Sequence, residues 1–474
     1  MIEAILLICA SMLAIVTSNI ANLQYIIVAI GLILVLISKR YGFIYFICIL
    51  FFPSDTPPIN SGVPDSNVHT MSLGITIFPM YAMLYALILL ASKRIFAISR
   101  SDKYMLLIIS PWLLAAITGM IVGIFQGDLN VAIFISDLSF AINILVGYLI
   151  VRLSAPDINS AKKILYCVHA VIYIYSFYGI YLFFAGEGFI TESIRRPVTD
   201  SFHIIFPYVA VILITSFVLK IGSIRRTSLI GLISLPSIAL LFMYASRGNF
   251  LFIILCFLLG IVYLAPKGVK RSPTDKFSAT IKLVLLTLFS LAALNSLLPG
   301  SLDYIGWKMG SLLTVSTDSQ LISSSAVRLF SFYNIVSKMI AQNLYLTGTG
   351  LGGYFTDEYF PFLHLITGDG AFPDEWIQNN TLYKPHGTLL VLLLKTGLLG
   401  FVLYLIGFAL LFKESLKKMT LLKSDLEYLL LGSLVLYLPA IAYKCFNTKL
   451  QVYTGIVIGI LCAYNYFLNE AKSK

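Results

Sequence analysis

Charged residues are scarce in this chain: Asp, Glu, Lys and Arg make up 12% of its 474 residues, about half the share found in a soluble domain. With 59% apolar residues, the chain reads as a polytopic membrane protein. Cysteines are also few. Of the six, Cys9, Cys48, Cys167, Cys256 and Cys462 lie inside apolar runs and Cys445 at the edge of one. None stands in a CxxC or other metal spacing, so neither a disulfide nor a zinc site is expected. There is no P-loop, no G-x-S-x-G elbow and no HExxH. The acidic pairs Asp357-Glu358 and Asp374-Glu375 lack the Asp-x-Asp spacing of a metal-dependent nucleotide-sugar transferase and read as solvated loop acids. No internal repeat is visible, so the inverted-repeat signature of many secondary transporters is missing. The N-terminus, MIEAILLICASMLAIV, carries an acid where a signal peptide has a basic region, and is expected to be a retained first span.

What the chain has is long apolar runs. Segments able to cross about 30 Å of hydrocarbon fall near 2–19, 23–38, 41–53, 72–92, 104–125, 131–151, 164–185, 202–219, 228–246, 249–265, 280–298, 386–412, 426–443 and 450–468. The expected fold is therefore an all-α transmembrane bundle of about 14 spans. With the N-terminus inside, every second loop is basic, and those loops with the C-terminal tail hold 23 of the 33 Lys and Arg residues. That distribution fits the positive-inside rule with both termini in the cytoplasm. It also explains the net charge of +11 as a topology signal, since no basic domain suited to nucleic acid is present.

Charge and hydropathy divide the chain into spans over 1–298, a large outer loop over 299–385 and further spans over 386–474. The loop keeps Trp307, Tyr333, Tyr354, Phe360, Phe362 and Trp376, aromatics that a disordered linker would lack. Within it, Ser323-Ser324-Ser325 precedes AVRLFSFYNIVSKMIAQN, where Phe332, Ile335, Val336, Met339 and Ile340 repeat at helical spacing. This predicts a capped helix with a single apolar face. It is expected to stop at Gly348-Thr349-Gly350-Leu351-Gly352-Gly353, whose glycines allow φ > 0 and a close approach of backbone to a ligand.

Several cationic residues are expected on the outer side: Arg195, Arg196, Arg247, Arg328 and Lys384, with His386 beside them. Each alone reads equally as an interfacial side chain snorkelling to headgroups. Together they form a set of guanidinium groups suited to phosphate. Pro385 suits the first turn of a span, and His386 could handle a proton near neutral pH. Lys395 follows about 13 Å into the bilayer at ~1.5 Å per residue, where a lysine faces the protein interior or a partner.

Three pieces resemble one family, the O-antigen ligase/polymerase superfamily. Ser246-Arg247-Gly248 is similar to its Ser-Arg-Gly element. Arg328 to Tyr333, leading into Leu346-Thr347-Gly348-Thr349-Gly350-Leu351-Gly352, is similar to its R-x-x-x-(x)-Y…N-P-L-x-G-x-G-x-G segment. His386-Gly387-Thr388-Leu389-Leu390, ending in Lys395-Thr396-Gly397-Leu398-Leu399-Gly400, is similar to its H-N-x-x-L…E-x-G-x-x-G helix. Gly387 stands where the family usually has Asn, and Lys395 where an acid is common. The resemblance implies a GT-C-like fold in the bacterial inner membrane and an inverting, metal-free and cofactor-free glycosyltransferase facing the periplasm. It further implies an undecaprenyl-diphosphate-linked oligosaccharide as donor, and a polysaccharide chain-length regulator as a further partner. Arg195 or Arg196, with Arg247 and Arg328, would bind the diphosphate, His386 would orient or deprotonate the attacking hydroxyl, and Tyr333, Lys384 and Lys395 would line the substrate. Within the family the fourteen spans and the weakened His-Asn element favour a polymerase, with a ligase as the alternative; a lipid-linked-sugar flippase is the alternative outside it.

Overall fold

The computed structural model describes residues 2–16, 23–51, 77–92, 98–126, 130–184, 202–219, 324–363, 372–385, 387–422, 424–445 and 448–473, with isolated helical residues between 253 and 296. All the regular elements among them are helices: α1 (Ile2–Val16), α2 (Leu23–Ile37), α3 (Lys39–Phe51), α4 (Ile77–Ala91), α5 (Arg100–Gln126), α6 (Val131–Ser154), α7 (Ile158–Phe184), α8 (Phe202–Leu219), α9 (Ser324–Ala341), α10 (Asp374–Gln378), α11 (Thr388–Met419), α12 (Asp425–Lys444) and α13 (Thr448–Ser473). Among the described residues strand pairing is limited to one isolated bridge, Phe355 with Leu382.

Six of these helices, α5, α6, α7, α11, α12 and α13, are long and apolar enough to cross a membrane. Helices α1 to α8 and α11 to α13 coincide with eleven of the expected spans. The expected span 228–246 lies outside the described residues, and 249–265 and 280–298 contribute only isolated helical residues.

The bundle is knit by glycines and by buried polar pairs. Helices α6 and α13 approach backbone to backbone, because Gly147 faces the Val452 carbonyl and Gly455 faces the Ile144 carbonyl. Gly455 and Gly459 form a G-x-x-x-G row, the spacing that lets membrane helices pack closely. Helix α5 lies along α11, with Gly407 against Ile108 and Gly400 against Pro111. At the end where α5 begins, the Asp102 carboxylate lies 3.1 Å from Arg152 Nε and accepts from Tyr148 Oη at 2.7 Å. Nearby, Asn465 donates to Ser101 and Ser415. Deeper in, Asn143 donates to Gln451 at 2.8 Å and His169 meets the Tyr208 hydroxyl at 2.6 Å. Such pairing is what lets polar groups sit in an apolar core.

At the opposite end, where α5 finishes and α6 and α11 begin, α9 and residues 342–363 and 372–385 form a cap with its own small core. Val327, Ile335, Met339, Phe355, Phe362, Phe372, Leu382 and Leu394 pack together there. Helix α9 ends where its apolar repeat ends, at Ala341, short of the expected stop at Gly348. Asn343 takes φ 57° while Leu344 N–H reaches the Met339 carbonyl and Asn343 N–H the Ile340 carbonyl, a Schellman stop with Asn in the left-handed position. The expectation of one apolar face is also corrected. Ile335 and Met339 point into the cap's core, whereas Phe332 and Ile340 are exposed on the other side.

Candidate functional site

The site begins with a break in α11. At Gly397 the backbone takes φ 64° and ψ −170°, a region open essentially to glycine alone. Counting from Thr388, the break lies about 14 Å along the helix at ~1.5 Å per residue. Backbone groups freed inside a membrane must find partners within the protein, and here the glycine-rich segment supplies them. Thr349 N–H and Oγ1 donate to the Leu394 carbonyl at 2.8 and 3.0 Å, and Gly350 N–H to the Lys395 carbonyl at 3.1 Å. In return, Leu398 and Leu399 N–H donate to the carbonyls of Tyr345 and Leu346.

This seating explains the glycines. Gly348 at φ 72° has the backbones of Gly397 and Lys395 against its missing side chain, and Gly350 at φ 78° has Gly119 of α5 there. Leu351 N–H donates to the Ala115 carbonyl of α5 at 2.9 Å. The segment is thus a re-entrant loop wedged between α5 and α11.

One buried ion pair locks the wedge. Lys395 Nζ lies 2.7 Å from Asp137 Oδ2 of α6, with both side chains at most 1% exposed. The same oxygen accepts Gly352 N–H at 2.9 Å, and Lys395 also donates to the Gly353 carbonyl at 2.5 Å. From the opposite side, Lys338 of α9 donates to the next carbonyl, Tyr354, at 2.9 Å. Its ammonium stands 3.9 Å from the centre of the Tyr354 ring, an attractive cation–π contact. Two lysines therefore hold consecutive carbonyls of one loop. Lys384 donates to Ser136, the neighbour of Asp137, at 2.7 Å, and its charge acts on Lys395. Tyr383 extends the wall, 5.6 Å from Tyr354 and 5.3 Å from Trp376 between ring centres.

Desolvation pulls Lys338 down from the usual lysine range to about 8; Glu358 opposes this and Lys395 reinforces it. An amine that titrates there exchanges a proton readily near neutral pH, which suits acid–base work. The remaining polar groups of the cap serve its shape. Asn334 accepts from Tyr359 and Phe360 N–H and donates to the Phe360 carbonyl, and the Asp357 carboxylate accepts from Phe362 and Leu363 N–H. Asp357 is thus a loop-organising acid, not a merely solvated one. Among the described residues no three His, Cys, Asp or Glu side chains gather as metal ligands.

Of the residues singled out from sequence, Lys384 and Lys395 fall in this cluster. Arg328 lies on α9, about 15 Å from Lys338 along the axis at ~1.5 Å per residue, with its Nε buried and without a hydrogen-bond partner. Tyr333 is exposed on the outer side of α9, its ring 5.1 Å from that of Phe360. Arg195, Arg196, Arg247 and His386 lie outside the described residues. Sequence reasoning missed Asp137 and Lys338. Asp137 had a signal, an acid within an expected span, which calls for a buried partner such as Lys395. Lys338 had none, because a lysine on an amphipathic helix is ordinary. No protein-family model matches the chain, and no curated protein matches it in sequence.

Proposed function

We propose that this protein is a membrane glycosyltransferase that joins undecaprenyl-diphosphate-linked oligosaccharides, an O-antigen or related polysaccharide polymerase of the bacterial inner membrane working at the periplasmic face. The observation that carries the reading is the re-entrant glycine loop set into the break of α11. It uses the two sequence segments that resemble the O-antigen ligase/polymerase superfamily, and lysines and aromatic rings surround it. In this reading the fold is GT-C-like, with the 14 spans expected from the sequence.

The acceptor sugar hydroxyl attacks the anomeric carbon of the donor. The bond from that carbon to the diphosphate oxygen breaks, undecaprenyl diphosphate leaves, and the hydroxyl proton passes to a base. Arg195, Arg196, Arg247 and Arg328 bind the diphosphate and stabilise the charge that grows on it. His386 takes the proton. Lys384 contacts glycan, Lys395 holds the shape of the loop, and Tyr333, on the outer side of α9, is left without a part in glycan binding. No metal or cofactor takes part, and a chain-length regulator is the protein partner. Arg247→Ala and Arg328→Ala each abolish polymer at unchanged protein level; wild-type chain lengths in both would overturn the reading. Deletion separates polymerase from ligase. Loss of a polymerase leaves a single repeat on the lipid core, whereas loss of a ligase leaves the core bare.

A second reading has its own observation. A charged pair sealed within spans, beside a discontinuous helix, is the kind of arrangement transporters place at their binding sites. Purified protein given lipid-linked repeat distinguishes the two, because a flippase leaves the glycan length unchanged.

A further inference from the structure

Helix α9 is amphipathic in the wrong sense for a helix capping a bundle in water. Its exposed side carries Leu329, Phe332, Tyr333, Val336 and Ile340, spaced i, i+3, i+4, i+7 and i+11, one continuous helical stripe. Phe332 is 39% and Ile340 62% exposed. The inner side mixes the core residues Val327, Ile335 and Met339 with buried Ser331 and Asn334 and with Lys338, half-buried against the glycine loop. A water-facing helix would put its polar residues on the outer side instead.

The stripe also continues onto a surface of known character. Beyond Ile340 come Tyr345 and Leu346, both exposed, and their carbonyls are bonded to Leu398 and Leu399 of α11. Those two leucines are exposed on a helix long and apolar enough to span a membrane. A contiguous apolar patch of this kind marks an interaction surface, and its continuity with the side of a spanning helix identifies what it meets.

We infer that α9 is an interfacial helix, lying in the headgroup–acyl boundary of the bilayer with its Leu329–Ile340 stripe against acyl chains and its inner face over the lysine-lined loop. The partner is the lipid surface itself, bound by apolar burial in the plane of the interface. Helix α9 is therefore a membrane-seated cover over the loop, not a water-exposed segment. A lipid-borne substrate would reach the loop from within the leaflet, beneath α9, without crossing water. This placement does not depend on the enzymatic reading, and its test requires no turnover.

The experiment uses the full chain in phosphatidylcholine vesicles. Cys9 is the one exposed cysteine among the six, so a Cys9→Ser background takes single labels with an environment-sensitive fluorophore at Phe332→Cys, Ile340→Cys and, as the water-facing control, Glu358→Cys. Lipid carrying a doxyl quencher on the upper acyl chain should extinguish emission at 332 and 340 and leave 358 bright, while aqueous iodide should do the opposite. Iodide quenching at 332 and 340 equal to that at 358 overturns the inference in favour of a solvated helix. Resistance of both positions to both quenchers overturns it in favour of a second copy or a protein partner covering the stripe. Should labelling at 332 disturb folding, as judged by loss of the parent's size-exclusion peak, Leu329→Cys reads the same face.

Discussion

Breaking the Lys395–Asp137 pair has a calculable consequence. Lys395→Met leaves Asp137 as an uncompensated buried carboxylate, and Asp137→Leu leaves a buried ammonium. Either change should cost about 3–5 kcal/mol, the usual penalty for removing one partner of a sealed ion pair. The double replacement removes both charges but strands the Gly352 N–H and the Gly353 carbonyl, which the pair now satisfies. At roughly 1–3 kcal/mol for each orphaned backbone group, it should cost about 2–6 kcal/mol. Additive single effects would instead give about 6–10 kcal/mol, so the two sites should be coupled by roughly 4 kcal/mol in a double-mutant cycle. The measurement is equilibrium unfolding of the purified chain in a fixed detergent micelle, followed by the reactivity of the buried thiols Cys256 and Cys462. Single variants that lose less than about 1 kcal/mol, a value typical of exposed pairs, would refute the argument that this pair is sealed. An additive double variant would refute the claim that it acts as one unit with the loop.

Gly397→Ala should cost at least about 1–3 kcal/mol from its backbone region alone, with more from the Leu346 carbonyl that the methyl would strike; it is read in the same unfolding assay. Lys338 gives a pH signature. Its folded pKa, about 8, lies below the ordinary 10.5, so the unfolded chain holds more protons between those values and stability gains from this residue as pH rises through them. The melting temperature of wild type relative to Lys338→Met should therefore climb from pH 8 to 10.5, and a flat difference would contradict the burial of this amine. Gly455→Val should loosen α13 from α6 at a cost of about 1–3 kcal/mol for overpacking, because the added atoms meet the Ile144 carbonyl.

The helices from α1 to α8 and from α11 to α13 were legible because each needs only a run of apolar residues, a local property that the one-dimensional sequence records in full. The glycine-rich turn was legible as a place needing positive φ, and Gly348, Gly350 and Gly352 take it. Its purpose was not, since nothing local says that the turn mends a broken helix forty residues further on. The Asp137–Lys395 pair failed for the same reason: each charge announces that it needs a partner, but the pairing depends on how α6 and α11 meet. The apolar repeat of α9 misled in another way. Periodicity finds stripes without saying what they face, and α9 has apolar residues on a core side, through Ile335 and Met339, and on an outer side, through Phe332 and Ile340.

These features together make the loop a mechanical link between two helices of different kind. Lys395 holds the Gly353 carbonyl from a spanning helix and Lys338 holds the Tyr354 carbonyl from α9. A shift of α9 therefore pulls on a backbone whose other side is pinned to the break in α11 and to Ala115 of α5. Because Gly350 and Gly397 have neighbouring backbone where a side chain would be, the loop has no slack there to absorb the pull. Moving α9 away from the loop would also pull Val327, Ile335 and Met339 out of the cap's core, at a cost in apolar burial. Helix α9 is thus held to the loop twice, by the polar contact of Lys338 and by that small core, so loop, α9 and the break in α11 should respond to a perturbation as one unit.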